Sequence, residues 1–150
     1  MVKEYDPVKE YLRDRGCPAH VVKAGLKGLV MTWEKVVAEL IFDGYRFGLR
    51  DFANDLDRRE ILAGALDRLG ERVPPAFRER VAVADKRFHD VTVPATRCLL
   101  PDEDVAARGL SREQHGWYYR YPRRHRANFA KDLAGAGIAA DVVDEPEPPK

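Results

Sequence analysis

The sequence predicts a mainly α-helical, compact domain of five or six helices, and three observations lead to that prediction. Between about residues 18 and 43, apolar side chains such as Val22, Leu29, Trp33 and Leu40 recur at three- and four-residue steps, which is the spacing of one buried helix face. Helix start and stop signals divide the rest of the chain into short helical segments. Finally, a chain of 150 residues is long enough to bury a core without metal or disulfide staples.

The individual helices follow from those start and stop signals. Asp6-Pro7 is a typical helix opening, because Asp caps and Pro fits the first helical position. Asp57 and Glu60 have the spacing of a capping box, so we expect a bend that separates two helices there. The expected helices, besides the long one, cover about 7–14, 49–55, 58–70, 73–91 and 125–134.

One short two-stranded β ribbon is expected near 96–100 and 117–121. Aromatic β-formers fill residues 117–121 except at Arg120, and Pro122 ends the run. Strand alternation would turn Trp117, Tyr119 and Tyr121 towards the helices and Tyr118 outwards. The acidic segment 101–104 is expected to be a loop.

The chain is expected to be one helical domain over 1–140, followed by an acidic, proline-rich and poorly ordered tail over 141–150. The side chains expected to form much of the core are Val22, Leu26, Leu29, Trp33, Val37, Leu40, Phe52, Leu56, Leu66, Phe77, Val81, Phe88, Trp117 and Tyr119.

Charge and cysteine content narrow the classes of function. Twenty-six Lys and Arg against 25 Asp and Glu give a net charge of +1, so no global charge steers the protein to nucleic acid or to a membrane. The N-terminus has no apolar signal segment, and charged residues interrupt every apolar stretch.

Cys17 and Cys98 are too few for a zinc site, and reduced thiols in a cytoplasm are the default. No cofactor is expected.

The segment GLKGLVMTWEKVVAELIFDGYRFGLRDFANDLDRREIL, residues 25–62, resembles a family of small bacterial helical proteins of unknown function. In that pattern a helix with a central Trp leads to a Gly-Tyr turn and then to Asp-Phe-x-Asn-Asp-Leu-Asp-x-Arg. The basic, aromatic segment from Trp117 to Arg124 also fits it. The resemblance covers about half the chain. It implies a bacterial, cytoplasmic domain, and it carries over no activity, substrate or catalytic residue.

The motif DFANDLDRRE is the densest polar stretch. Asp51, Asp55 and Arg58 stand at three- and four-residue steps and would share one helix face. They could bind a divalent cation or perform acid–base chemistry. Alternatively, they cap the helix and form intrahelical ion pairs, or Asp55 or Asp57 bonds an Arg of residues 120–126.

No catalytic motif is present. The chain has one serine, Ser111, and lacks nucleophile-elbow, phosphate-loop and His-Glu-x-x-His patterns. Cys17 and His20 stand three residues apart and could supply two metal ligands, but a metal site needs three or four and no second pair is in view. The sequence therefore favours a protein that is not an enzyme, although a phosphate-handling enzyme with an Asp/His/Arg site stays open.

The stretch GWYYRYPRRHR, residues 116–126, is the main candidate binding segment. Residues 108–131 contain seven Lys and Arg against one acid, Glu113. Trp, Tyr and Arg are enriched at protein-interface hot spots, and Arg beside aromatic rings also suits nucleic acid. The sequence favours docking of a protein partner, with nucleic-acid binding as the alternative. The candidate contact residues are Tyr118, Arg120, Arg123, Arg124 and Arg126.

Overall fold

The computed structural model describes residues 6–140, which form six α-helices and a two-stranded antiparallel ribbon. The mainly α-helical fold class is therefore confirmed. In chain order the elements are α1 (Pro7–Asp14), α2 (Ala19–Asp43), α3 (Leu49–Leu69), α4 (Pro75–Val91), β1 (Thr92–Pro94), α5 (Asp102–Arg108), β2 (Arg120–Pro122) and α6 (Ala127–Gly135), with 3-10 turns at Gly70–Arg72 and Gly116–Tyr119. The tail expected over 141–150 lies outside the described residues.

The first two helices begin and end where the sequence signals place them. Asp6 Oδ1 accepts hydrogen bonds from the backbone N–H groups of Val8 and Lys9 at 3.0 and 3.1 Å, so it caps α1. α2 stops at Gly44, whose φ of 70° favours glycine. Gly25 also has a positive φ, 61°, and kinks α2 near its start. The long periodic segment is therefore two helical pieces joined at a kink.

The core lies where α2, α3 and α4 pack together, with α1 against α2 and α3. Trp33 of α2 is 1% exposed, and its ring centroid lies 5.2 Å from that of Phe88 on α4. Most of the predicted core is confirmed as buried: Val22, Leu29, Trp33, Val37, Leu40, Phe52, Leu56, Val81 and Phe88. The others, Leu26, Leu66, Phe77, Trp117 and Tyr119, are partly buried against the same core.

α3 is one continuous helix, so the predicted bend between two helices is wrong. Asp57 and Glu60 make no capping box; their carboxylates instead bind Tyr118 and Arg108. α3 packs against α1, α2, α6 and the Gly116–Tyr119 turn. Because several elements surround α3, its apolar residues lie on more than one face of the helix. The two apolar faces seen in the sequence therefore reflect two packing contacts of one helix.

The ribbon is present, but its strands are displaced from their expected positions. β1 and β2 pair with Val93 opposite Tyr121, and the residues before β2 form a 3-10 turn. Tyr118 is 0% exposed, whereas Trp117 and Tyr119 are only partly buried. The expected outward orientation of Tyr118 is therefore wrong. Side chains alternate between two faces only on an extended strand; in a 3-10 turn they rotate by about 120° per residue.

α5 occupies the acidic segment that was expected to be a loop. Asp102, Glu103 and Asp104 lie in its first turn, where carboxylates interact favourably with the helix dipole. Gly109 ends it in the left-handed conformation. These three acidic residues therefore form the first turn of a helix. None of the helices in residues 6–140 combines the length and the apolar content needed to cross a bilayer.

An aromatic cluster holds the loop after α2 and the start of α6 against α3. The ring of Tyr45 lies 5.0 Å from that of Phe52 and 5.7 Å from that of Phe129, both edge-on. The backbone N–H of Tyr45 donates to the carbonyl of Arg124 at 2.9 Å, and Tyr45 forms an isolated β-bridge with His125. The loop therefore lies beside the basic segment that follows β2.

Candidate functional site

The polar motif on α3 sends its side chains to different partners. Asp51 Oδ2 accepts the backbone N–H of Gly48 at 3.2 Å, at the start of the helix. Asp55 Oδ2 accepts the hydroxyl of Tyr45 at 3.0 Å, and its Oδ1 lies 3.7 Å from Arg58 Nε. Asp51 therefore bonds the backbone at the start of the helix, whereas Asp55 and Arg58 form an intrahelical ion pair, which is the capping and ion-pair alternative. Within the described part of the chain, no group of three or more His, Cys, Asp or Glu could hold a metal ion.

Asp57 and Glu60 form a network with Tyr118 and Arg108. The Tyr118 hydroxyl has one proton, which it shares between Asp57 Oδ1 at 2.5 Å and Glu60 Oε2 at 2.9 Å. Its oxygen accepts a hydrogen bond from Arg108 Nη2 at 2.7 Å. Arg108 Nη2 donates to Asp57 at 3.1 Å and also to Glu60. Burial, the Asp57 hydrogen bond and the two carboxylate charges raise the pKa of Tyr118, so its hydroxyl stays protonated. This network joins α3, α5 and the Gly116–Tyr119 turn.

Arg59 links the same helix to the core of the fold. It donates two hydrogen bonds of 2.9 Å to the carboxylate of Asp85 on α4, which also accepts the indole N–H of Trp33 at 2.9 Å. Its guanidinium lies 4.7 Å from the ring centre of Trp117, within cation–π range. The motif thus binds four separate parts of the fold, and its role in this structure is to hold them together.

Two of the five predicted contact residues are held within the fold, and the other three are exposed. Tyr118 is buried in the network above and presents no hydroxyl to a partner, which removes it from the surface. Arg120 is partly buried, and its guanidinium donates to Thr92 Oγ1 at 2.8 Å and to the Thr92 carbonyl at 2.9 Å, so it holds the ribbon together. Arg123, Arg124 and Arg126 are exposed.

Two exposed phenylalanines, which are not among the predicted contact residues, flank the chain segment 43–45 that contacts Arg124 and Arg126. Phe42 is 86% exposed and Phe47 is 58% exposed. Arg126 Nη2 lies 3.4 Å from Asp43, the residue after Phe42, and Arg46 Nη2 lies 3.1 Å from the same carboxylate. We name this region, which comprises Phe42, Arg46, Phe47, Arg124 and Arg126, the Phe–Arg surface.

A signal for Phe42 was present in the sequence. It follows Trp33 by nine positions, which is about half a turn around the helix from the buried face. Phe47 stands in a short loop between Gly44 and Gly48, and no periodicity could assign its face.

The apolar part of this surface continues into a groove between α2 and α4. The groove has a volume of 860 Å³, and Ile41, Phe42 and Val83 line it. Ile41 is 42% exposed and Val83 is 44% exposed. The ion pair between Arg80 and Glu34 lies on its rim. An apolar groove with a charged rim is the usual form of a helix-docking site.

Two of the histidines bond backbone groups. His125 Nδ1 lies 2.8 Å from the Pro122 carbonyl, and His115 Nδ1 accepts the backbone N–H of Ser111. Neither of these two rings bonds a carboxylate of residues 6–140. Burial raises the pKa of Asp55 even though Tyr45 and Arg58 act in the opposite direction, but no histidine bonds this carboxyl.

Fold and site together define a small helical domain with a structural polar motif and an exposed aromatic, basic surface. No protein-family model, no curated protein and no solved structure matches this chain.

Proposed function

We propose that the protein is a protein-binding module that docks an acidic, amphipathic segment of its partner on the Phe–Arg surface. The observation that carries the proposal is Phe42, an aromatic side chain that is 86% exposed at the end of the core helix. Contiguous exposed apolar side chains rimmed by polar groups are typical of interaction sites, and Phe47, Ile41 and Val83 extend the apolar area around Phe42.

The charges of the surface specify the chemistry of the partner. Arg46 and Arg126 both contact one carboxylate, Asp43. Arg124 is exposed two residues before Arg126, so the cations of this surface are in excess. A partner segment with acidic side chains complements them, while its apolar side chains enter the groove between α2 and α4.

The same geometry favours protein over nucleic acid. Among the aromatic residues of the basic segment, Tyr118 and Tyr121 are buried and Trp117 lies against Arg59, so few rings remain to stack on bases. The free thiols of Cys17 and Cys98 fit a reducing cytoplasm. A cytoplasmic location and a bacterial origin, which the family resemblance implies, belong to this proposal.

Affinity capture from the native host tests the proposal. The wild-type chain should retain a protein that Phe42→Ala/Phe47→Ala loses, because truncating an aromatic hot spot costs about 2 kcal/mol or more, or roughly thirtyfold in affinity. Met31→Ala is the matched control, since Met31 is 52% exposed on the same helix and about 16 Å away along its axis.

The arginines are tested separately with the variant Arg124→Ala/Arg126→Ala, and Arg13→Ala is the control. The affinity of each variant for the purified partner is measured at rising salt concentration. We expect the first variant to bind more weakly and the control to bind as wild type. Capture of no specific protein, or capture that both surface variants leave unchanged, would contradict the proposal. Salt-sensitive binding of short DNA or RNA that the Arg124→Ala/Arg126→Ala variant loses would replace it with the nucleic-acid function.

A further inference from the structure

A second, separate cavity lies between the start of α3, residues 97–101, α5 and α6. It is an open cleft with a volume of 1030 Å³, just above the range of about 300–1000 Å³ that is usual for small-molecule sites. Phe42, Phe47 and the arginines at 124 and 126 do not line it. It is therefore independent of the Phe–Arg surface.

The walls of the cleft are largely apolar. Leu49 and Ala53 contribute from α3, Leu99 and Leu100 from the segment before α5, and Ile138 from the residues after α6. Leu99 is 4% exposed and Ile138 is 6% exposed, so these walls belong to the folded core and are preformed. Such a surface suits the hydrocarbon or aromatic body of a ligand.

The acidic groups of the cleft mostly have partners within the protein. Asp57 pairs with Arg108, and Arg97 Nη2 lies 2.5 Å from Asp102. Asp132 Oδ2 accepts the backbone N–H at the start of α3, at 3.0 Å. Asp104 lies in the first turn of α5, where the helix dipole favours a carboxylate.

Two cations of the cleft have no such partner. Arg50 on α3 and Lys131 on α6 line the cleft, and neither forms an ion pair with a described residue. Their chain neighbours Leu49 and Asp132 are joined by a hydrogen bond of 3.0 Å, so both cations start from the same end of the cleft, where the Asp132 carboxylate also lies. The amide of Asn54 lines the cleft one helical turn further along α3.

We propose that this cleft binds a small amphipathic organic anion, with its carboxylate, phosphate or sulfonate head between Arg50 and Lys131 and its apolar body along Leu99, Leu100 and Ile138. A few convergent polar groups beside apolar walls are the usual composition of a small-molecule site. At this end Arg50 and Lys131 outnumber the single Asp132 carboxylate, which favours an anionic head, and the apolar walls favour a body of several carbons.

Octanoate is the probe, and octyltrimethylammonium, with the same chain and the opposite charge, is its control. Both are titrated into the full-length, isotope-labelled protein, and amide chemical shifts are recorded. We expect octanoate to shift the amides of Leu99, Leu100 and Ile138 and to leave Phe42 unchanged. Octyltrimethylammonium should bind several-fold more weakly or not at all.

Three variants locate the site. Arg50→Gln/Lys131→Gln should weaken octanoate binding about 2- to 30-fold, as expected for two exposed ion pairs. Lys27→Gln/Lys35→Gln, which changes the net charge equally on α2, should not. Asn54→Trp, at an exposed helix position, should fill the cleft and abolish binding.

The proposal is overturned if octanoate shifts no amide of the cleft, if the two probes bind equally, or if Arg50→Gln/Lys131→Gln binds as wild type. Phe42→Ala/Phe47→Ala should retain octanoate binding, so failure of the docking proposal and failure of this one give different results.

Discussion

The hydroxyl of Tyr118 gives the sharpest test of the polar motif, through the substitution Tyr118→Phe. Tyr118 is 0% exposed, and its hydroxyl donates to Asp57 and Glu60. The substitution removes these hydrogen bonds and leaves the ring in place, so it opens no large cavity. Arg108 still pairs with both carboxylates, so no charge is left without a partner.

The expected loss of stability follows from the type of hydrogen bond. A buried hydrogen bond to a charged group contributes about 1.5–3 kcal/mol, and Phe matches Tyr in shape. We therefore expect Tyr118→Phe to lower the free energy of unfolding by about 1.5–3 kcal/mol. In a chain of this size each 1 kcal/mol shifts Tm by about 2–4 °C, so Tm should fall by about 3–12 °C.

Urea denaturation followed by tryptophan fluorescence measures this change. Tyr121→Phe is the matched control, since Tyr121 is also buried, at 8% exposure, but its hydroxyl has no hydrogen-bond partner among residues 6–140. The control should change stability by less than about 0.5 kcal/mol. Tyr118→Phe should also couple to Glu60→Gln in a double-mutant cycle. Equal stabilities of the two Tyr→Phe variants would refute the structural role of the motif.

Two further substitutions test the packing and the charges of α3. A Cβ on Gly64 would lie 1.9 Å from the hydroxyl oxygen of Tyr11. Overpacking costs about 1–3 kcal/mol and the gain in helix propensity is about 1 kcal/mol, so Gly64→Ala should lose up to about 2 kcal/mol by urea denaturation. The loss should shrink in a Tyr11→Leu background. Burial raises the pKa of Asp55 in the folded state above the ordinary value of an aspartate, so the folded state holds this proton to higher pH. Stability should therefore fall as the pH rises from about 4 through the folded pKa. Asp55→Asn should remove that fall, because it replaces the titrating carboxyl by an amide. The amide oxygen still accepts the Tyr45 hydroxyl, so this hydrogen bond is kept. An unchanged pH dependence of unfolding between pH 4 and 7 would contradict the assignment.

Local signals were sufficient for the helices whose ends and buried faces are set within a few residues. Asp6-Pro7 capped α1, and Asp43-Gly44 ended α2, because caps and left-handed glycines act on the adjacent turn. Trp33 was placed in the core by its helical spacing alone. The clustering of Arg124 and Arg126 was visible in the sequence, but their exposure is a finding of the structure.

Long-range contacts decided the rest. The sequence determined the helical class, most of the core and the basic character of the segment after β2. Only the tertiary structure decided that Asp57 and Glu60 bind Tyr118 and Arg108 instead of capping a helix, because these partners are 48 to 61 residues apart in the chain. It also decided that Phe42 and Phe47 lie beside the arginines, since no local rule fixes which distant segments meet. The candidate binding surface is therefore a property of the folded chain.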